Sequence, residues 1–119
     1  MPDLAALRRI VDARLPRYLA ELEALVNIDC GSYTPDGVNK VAEFVTDGLR
    51  ELGADVERMR HEPADGGPQL GDLVVGRLAG DGPRLLLIGH MDTVFDAGTA
   101  AARPYRSTAT GRPAPGSPT

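Results

Sequence analysis

The chain has 119 residues, 42% of them hydrophobic and 25% charged, which suffices for one domain of ordinary size and is too little for two. Its net charge of −4 and its single lysine, Lys40, argue against a nucleic-acid-binding surface, because no basic cluster can neutralise phosphates. No segment resembles a signal peptide or a membrane span, so we expect a cytoplasmic protein without membrane contact. The single cysteine, Cys30, excludes a disulfide within this chain and is expected to be a small, buried or half-buried residue rather than a nucleophile.

Two amphipathic helices are predicted in the first half of the chain. From Asp3 to about Ile28, apolar residues recur at three- and four-residue spacing, and Pro16 within this stretch predicts a kink or a break into two shorter helices. Residues 29–37 are rich in turn formers and are expected to form a loop. A second helix is predicted from about Val38 to Leu52, with Gly53 ending it in the left-handed conformation. Its buried face is expected to hold Val41, Phe44, Val45, Leu49 and Leu52.

Three strands are predicted in the second half. Residues 54–60 alternate small or apolar with charged side chains, which is typical of a half-exposed strand, and residues 69–78 form a second strand. A turn at residues 79–83 leads to Leu85-Leu86-Leu87-Ile88, four aliphatic residues in a row that Gly89 closes, which predicts a third strand buried on both faces. Two helices followed by strands predict an α/β fold, with the helices covering one or both faces of a mixed sheet of about three strands.

The third predicted strand ends at two ionisable residues, His90 and Asp92. In an open α/β sheet, ligands bind at the carboxyl ends of strands. A neutral imidazole is a good zinc ligand, and a carboxylate that accepts its other N–H fixes the tautomer. Alternate residues on extended backbone project to the same side, so Asp92 can orient His90. Because His-x-Asp is a common pattern, two alternatives stay open: a surface or satisfied core histidine, and a small non-catalytic interaction module in which both residues cap a strand.

Other residues of metal-ligating type are better explained by structural roles. His61 lies among Glu, Pro and Gly residues, which predicts a solvated loop. The two glutamates of the first helix fall between its apolar positions and are expected to be solvated, while Asp36 and Asp96 are expected to be turn residues. The carboxylates considered are Asp29, Asp36, Asp96, Glu21 and Glu23.

The segment Leu86-Leu87-Ile88-Gly89-His90-Met91-Asp92-Thr93-Val94-Phe95 resembles the metallopeptidase family of glutamate carboxypeptidases, aminoacylases, acetylornithine deacetylases and succinyl-diaminopimelate desuccinylases. Residues 22–32 and 37–42 resemble the glutamate carboxypeptidase branch in the expected order, and the resemblance covers about residues 15–106. It implies the N-terminal part of a three-layer, zinc-exopeptidase-like domain whose enzyme cleaves amide bonds next to a free carboxylate. A deacylase of N-acyl amino acids is the alternative within the family.

The resemblance also implies roles for individual residues. It places one zinc ligand at His90 and the orienting catalytic carboxylate at Asp92, in an enzyme that holds two zinc ions about 3.5–4 Å apart. The implied substrate is a small peptide or an N-acyl amino acid, and the resemblance is compatible with a homodimer of the complete enzyme. The family's remaining ligands, its general base and its smaller lid or dimerisation domain have no counterpart in the matching stretch, so we expect this chain to be inactive alone.

Residues 107–119 contain no large apolar side chain and are expected to be disordered, which leaves residues 1–106 as a partial catalytic domain. Family members continue here with something like Ile-Asp-Gly-Asp-Arg. If residues 107–119 are encoded by high-GC codons, one base inserted after the codon of Arg106 gives a reading frame that encodes such a continuation. We therefore hypothesise that residues 107–119 are out of frame and that the chain is the front of a longer enzyme. Coding DNA in which no one-base shift gives a family-like continuation would exclude this hypothesis.

Overall fold

The structure, a computed structural model, describes residues 3–106. Its elements are α1 (Leu4–Val26), α2 (Pro35–Glu51), β1 (Asp55–Met59), β2 (Leu73–Arg77) and the short helix α3 (Thr99–Ala102). The chain divides into two compact units, Ile28–Thr99 and the residues on either side of it. Helices combined with a sheet agree with the α/β expectation at that coarse level. The predicted disorder of residues 107–119 lies outside the described residues.

Helix α1 is one continuous helix with Pro16 inside it, so of the two predicted alternatives the break into two shorter helices is wrong and the kink stays a prediction. The Asp3 side chain caps the first turn by accepting a 3.0 Å hydrogen bond from the Ala5 N–H. A helix of 23 residues has enough other backbone hydrogen bonds to continue past one missing donor. None of the described helices is long and apolar enough to span a lipid bilayer.

Helix α2 begins three residues before the predicted start, because Pro35 fits the first turn, where a missing N–H costs nothing. Its buried residues are Gly37, Val38, Val41, Ala42 and Thr46. Burial of Val41 is thus confirmed, but Leu52 is 63% exposed because the helix ends at Glu51 and Leu52 leaves the packed face. Gly53 has φ +85, which confirms the predicted left-handed helix end.

Strands β1 and β2 pair antiparallel, with Asp55 opposite Arg77 and Met59 opposite Leu73. Helix α2 packs on both strands. The approach is close at Gly76, where an added Cβ would meet the methyl groups of Leu49. The core of the unit Ile28–Thr99 therefore lies between α2 and this two-stranded sheet.

The third predicted strand is absent from the described part of the chain. Residues 85–88 form no strand, and their side chains are 89, 82, 93 and 86% exposed in chain order. The predicted burial of this run is therefore wrong, and the described sheet has two strands instead of about three. A strand covered on both faces needs neighbours along its edges and layers on its faces, and residues 3–106 supply neither to this run. The turn at residues 79–83 consequently closes no hairpin.

Candidate functional site

Two loops that are distant in sequence are joined next to the His90–Asp92 pair. Gly31 and Thr93 form an isolated parallel bridge. The N–H of Thr93 donates to the Cys30 carbonyl at 2.9 Å, and the N–H of Ser32 donates to the Thr93 carbonyl at 3.0 Å. A Cβ at residue 31 would collide with the carbonyl oxygen of Phe95, so only glycine allows this approach. The bridge brings residues about sixty positions apart into one site.

A second tie lies beside the bridge. One carboxylate oxygen of Asp29 accepts a 2.9 Å hydrogen bond from the N–H of Gly98, which anchors the far end of the second loop. Cys30, between these two ties, is 8% exposed, which confirms that it is a buried small residue. Burial raises the pKa of the Cys30 thiol, so the thiol stays protonated and is a poor nucleophile. The cysteine supports the loops and offers no separate chemistry.

His90 and Asp92 are in direct contact. The imidazole Nδ1 lies 2.8 Å from the backbone oxygen of Asp92 and 3.2 Å from its carboxylate Oδ1. The second carboxylate oxygen, Oδ2, accepts a 2.6 Å hydrogen bond from the hydroxyl of Ser32. That hydroxyl is the main reason why the pKa of the Asp92 carboxyl lies below its ordinary value, and the bond from His90 adds to the effect. Asp92 is therefore ionised at neutral pH.

These contacts determine the tautomer of His90. Both partners of Nδ1, a carbonyl oxygen and an ionised carboxylate, only accept hydrogen bonds, so Nδ1 carries the hydrogen. In the neutral ring the lone pair then lies on Nε2. The side chain is 83% exposed, which leaves Nε2 accessible from solvent. The arrangement is that of a histidine ready to ligate a metal through Nε2 while a carboxylate holds the opposite nitrogen.

The imidazole nitrogen of His90 is a kind of ligand that zinc accepts, and one histidine can fill one coordination position. The part of the chain that the structure describes contains no group of three or more His, Cys, Asp or Glu side chains that could hold a metal ion. A catalytic zinc site uses three protein ligands, so His90 and Asp92 do not form a complete one.

The other candidate residues lie apart from this pair or hold local structure. The Nδ1 of His61 accepts a 3.1 Å hydrogen bond from the Leu70 N–H, so this ring anchors a loop. Asp36 lies in the first turn of α2 instead of a separate turn, and Glu21 forms an exposed ion pair with Arg17 on α1. Asp96 accepts, through its carbonyl, the 2.7 Å hydrogen bond of the Thr99 hydroxyl.

An open depression of about 420 Å³ adjoins the bridge, lined by residues 31–34 and 93–97. Both of its walls belong to the joined loops. Its lining includes the hydroxyl-bearing residues Ser32, Thr34 and Thr93 as well as Phe95, a residue that is 39% exposed. The depression gives space for a small molecule beside Ser32, the residue that bonds Asp92.

Sequence reasoning missed Ser32 as part of this site. Ser32 lies in a stretch whose residue types indicate only a turn, and 60 positions separate it from Asp92. No periodicity or spacing could have linked the two residues. Its position follows from the bridge, which only the folded chain forms.

No family model matches this chain. The chain is similar to carboxypeptidase G2 of Pseudomonas sp. (strain RS-16), with 37% identity over 92 residues. The match covers 76% of this chain and 21% of that protein, so the chain spans about a fifth of the length of the relative it matches. The similarity supports a relationship at the level of the metallopeptidase family and resolves no branch within it.

Proposed function

We propose that this chain is part of a zinc-dependent hydrolase of the glutamate carboxypeptidase kind, which cleaves an amide bond next to a free carboxylate. The observation that carries the proposal is the His90–Asp92 pair, whose geometry leaves Nε2 free as a ligand, in a chain similar to a carboxypeptidase. A deacylase of N-acyl amino acids has no separate observation in its favour and enters as an outcome of the test.

In this function His90 contributes one zinc ligand through Nε2. Asp92 accepts the hydrogen of Nδ1, which keeps the ring in one tautomer and makes Nε2 more basic. Zinc, when bound, lowers the pKa of a bound water and polarises the carbonyl of the scissile bond. The depression lined by residues 31–34 and 93–97 includes Ser32, the hydrogen-bond partner of Asp92, and offers room for part of a small substrate.

We also propose that the described residues alone do not sustain catalysis. One imidazole with an orienting carboxylate cannot hold a zinc ion as three protein ligands do. Zinc titration of the purified chain, with an assay on N-acyl-glutamate substrates, tests this point. We expect weak zinc binding and no turnover, and tight stoichiometric zinc with turnover would contradict it.

The proposed function itself is tested by a chimera. In carboxypeptidase G2, the part aligned with this chain is replaced by this chain's residues, so that the rest of the protein comes from the relative. We expect zinc-dependent release of glutamate from an N-acyl-glutamate substrate. Introducing His90→Ala into the chimera should abolish zinc-dependent turnover because a first ligand is lost.

The matched control is His61→Ala in the same chimera. This variant also removes an imidazole, but from a ring that only accepts a backbone hydrogen bond in a loop. We expect activity to be retained. A folded chimera that is inactive with His90 present, or equally active without it, would contradict the proposed function. Faster hydrolysis of N-acyl amino acids with apolar side chains would favour the deacylase.

A further inference from the structure

We propose that Ser32 is a positioning residue, which orients the Asp92 carboxylate and thereby holds His90 in the tautomer with the hydrogen on Nδ1. The importance of this tautomer for zinc rests on the proposed function. The hydrogen-bonded chain from Ser32 through Asp92 to His90 does not, because its geometry is independent of any metal.

The first step is the bond between Ser32 and Asp92. The Oγ–Oδ2 distance is 2.6 Å, within the range of a charge-assisted O–H···O hydrogen bond. The hydroxyl also lies 3.3 Å from the Thr93 carbonyl, but it has one hydrogen and the carboxylate is the nearer acceptor. The terminal torsion of an aspartate is broad, so a bond to one oxygen is needed to fix where the other points. Ser32 holds Oδ2, and Oδ1 then faces His90.

The second step is the rigidity of the support under Ser32. Its N–H donates to the Thr93 carbonyl at 3.0 Å, in the bridge that joins the two loops. The preceding residue, Gly31, is packed so closely against the Phe95 carbonyl that no side chain fits there. The backbone of Ser32 is therefore fixed both by this hydrogen bond and by the close packing of Gly31. Its hydroxyl reaches the carboxylate from a fixed position.

The third step is the dependence of His90 on Asp92. In the described part of the chain, the ring of His90 forms hydrogen bonds with Asp92 only, and the side chain is 83% exposed. Packing therefore does little to orient the ring. Two groups of Asp92 hold the ring: the backbone carbonyl at 2.8 Å, which does not depend on Ser32, and the carboxylate at 3.2 Å, which Ser32 orients.

The chain contains an internal reference for this proposal. His61 accepts a hydrogen bond at Nδ1 from a backbone N–H, so its neutral ring carries the hydrogen on Nε2. The two histidines of this protein are thus expected to adopt opposite tautomers. Nitrogen-15 NMR distinguishes a protonated from an unprotonated ring nitrogen, and the spectra are compared at the alkaline end of a pH series, where the ring shifts no longer change with pH.

The experiment records ring nitrogen-15 shifts of the metal-free chain, its Ser32→Ala variant and its Ser32→Thr variant. In the unaltered chain we expect Nδ1–H at His90 and Nε2–H at His61. In Ser32→Ala the fraction of the Nδ1–H form of His90 should fall, because of its two acceptors only the Asp92 carbonyl keeps its position, while the spectrum of His61 stays unchanged. Ser32→Thr keeps a hydroxyl at the same position and should restore the original His90 spectrum.

Thr99→Val is the matched control, because it removes a hydroxyl bonded at 2.7 Å to a backbone carbonyl and leaves Asp92 untouched. Circular dichroism shows whether each variant is folded. Nε2–H at His90 in the unaltered chain would overturn the proposal without any variant, and so would an unchanged His90 in folded Ser32→Ala. The chimera tests the proposed function separately, so an active chimera that depends on His90 leaves that function standing after either result. Conversely, an inactive chimera with the expected tautomers would refute the function and leave the positioning role intact.

Discussion

The buried face of α2 and the run at residues 85–88 are both aliphatic, yet they lie in opposite environments. Val38, Val41 and Ala42 are 5, 7 and 0% exposed, whereas every side chain of the run is more than 80% exposed. The helix satisfies its own backbone hydrogen bonds and needs a partner on one face only, which β1 and β2 provide. A strand needs partners along its edges before its side chains can be covered. Apolar character is therefore insufficient for burial without a partner of the right geometry.

The most direct test of this comparison is to place the same charge in both regions. Val41→Asp buries an unpaired carboxylate in the core and should lower the free energy of unfolding by more than about 3 kcal/mol. Leu86→Asp places the same group in solvent and should change it by less than about 0.5 kcal/mol. Urea denaturation followed by circular dichroism measures both. Equal losses would show that residues 85–88 are packed in solution.

The loop bridge gives the next largest effect. Gly31→Ala introduces a Cβ that collides with the Phe95 carbonyl, so the bridge must shift, with an expected loss of about 1–3 kcal/mol in unfolding free energy. Gly89→Ala is the control, since a Cβ there meets no atom within 4 Å. We expect that variant to be neutral or slightly more stable. A harmless Gly31→Ala would refute the close approach of the two loops.

A smaller, pH-dependent effect is expected at Ser32. Because the hydroxyl lowers the pKa of folded Asp92, its stabilisation is fully present above the unfolded value of 3.8 and is lost as the pH falls through the lowered pKa. Ser32→Ala should therefore be less stable than the unaltered chain near neutral pH and approach it in acid. Thr99→Val, whose acceptor is a backbone carbonyl, should show a difference independent of pH. Urea denaturation at several pH values tests the sign, and a Ser32→Ala deficit that grows in acid would contradict it.

The smallest effect on stability is expected from Leu87→Lys, in the most exposed residue of the run. Unpaired aliphatic segments promote association between chains, and a lysine opposes it. We expect unchanged unfolding but less concentration-dependent association in light scattering. Leu78→Lys, at an exposed apolar residue outside the run, serves as the control. Equal effects at both positions would show that the run has no special part in association.

Helices α1 and α2 were the most predictable elements, because their periodicity is a local property. The start of α2 was predicted late because Pro35 can be read either as a turn residue or as the first turn of a helix. Of the two alternatives predicted at Pro16, a kink or a break, the break does not occur because a long helix tolerates one missing donor. The first two predicted strands were located correctly, since β1 and β2 lie within the predicted ranges of residues 54–60 and 69–78.

The candidate site divides in the same way. His90 and Asp92 were identified from the sequence because they are two residues apart, so their contact depends on local backbone alone. Their roles at zinc stay predictions. Ser32 was not identified, because its hydrogen bond to Asp92 depends on a bridge between distant loops.

The sequence by itself determined helices α1 and α2 and the identity of the histidine–carboxylate pair, since these follow from residue type and short spacing. Only the tertiary structure decided that Ser32 reaches Asp92, that Gly31 must be a glycine and that residues 85–88 stay exposed. These three features depend on which distant segment supplies a partner, and hydrogen-bond geometry and packing decide that question after the chain has folded.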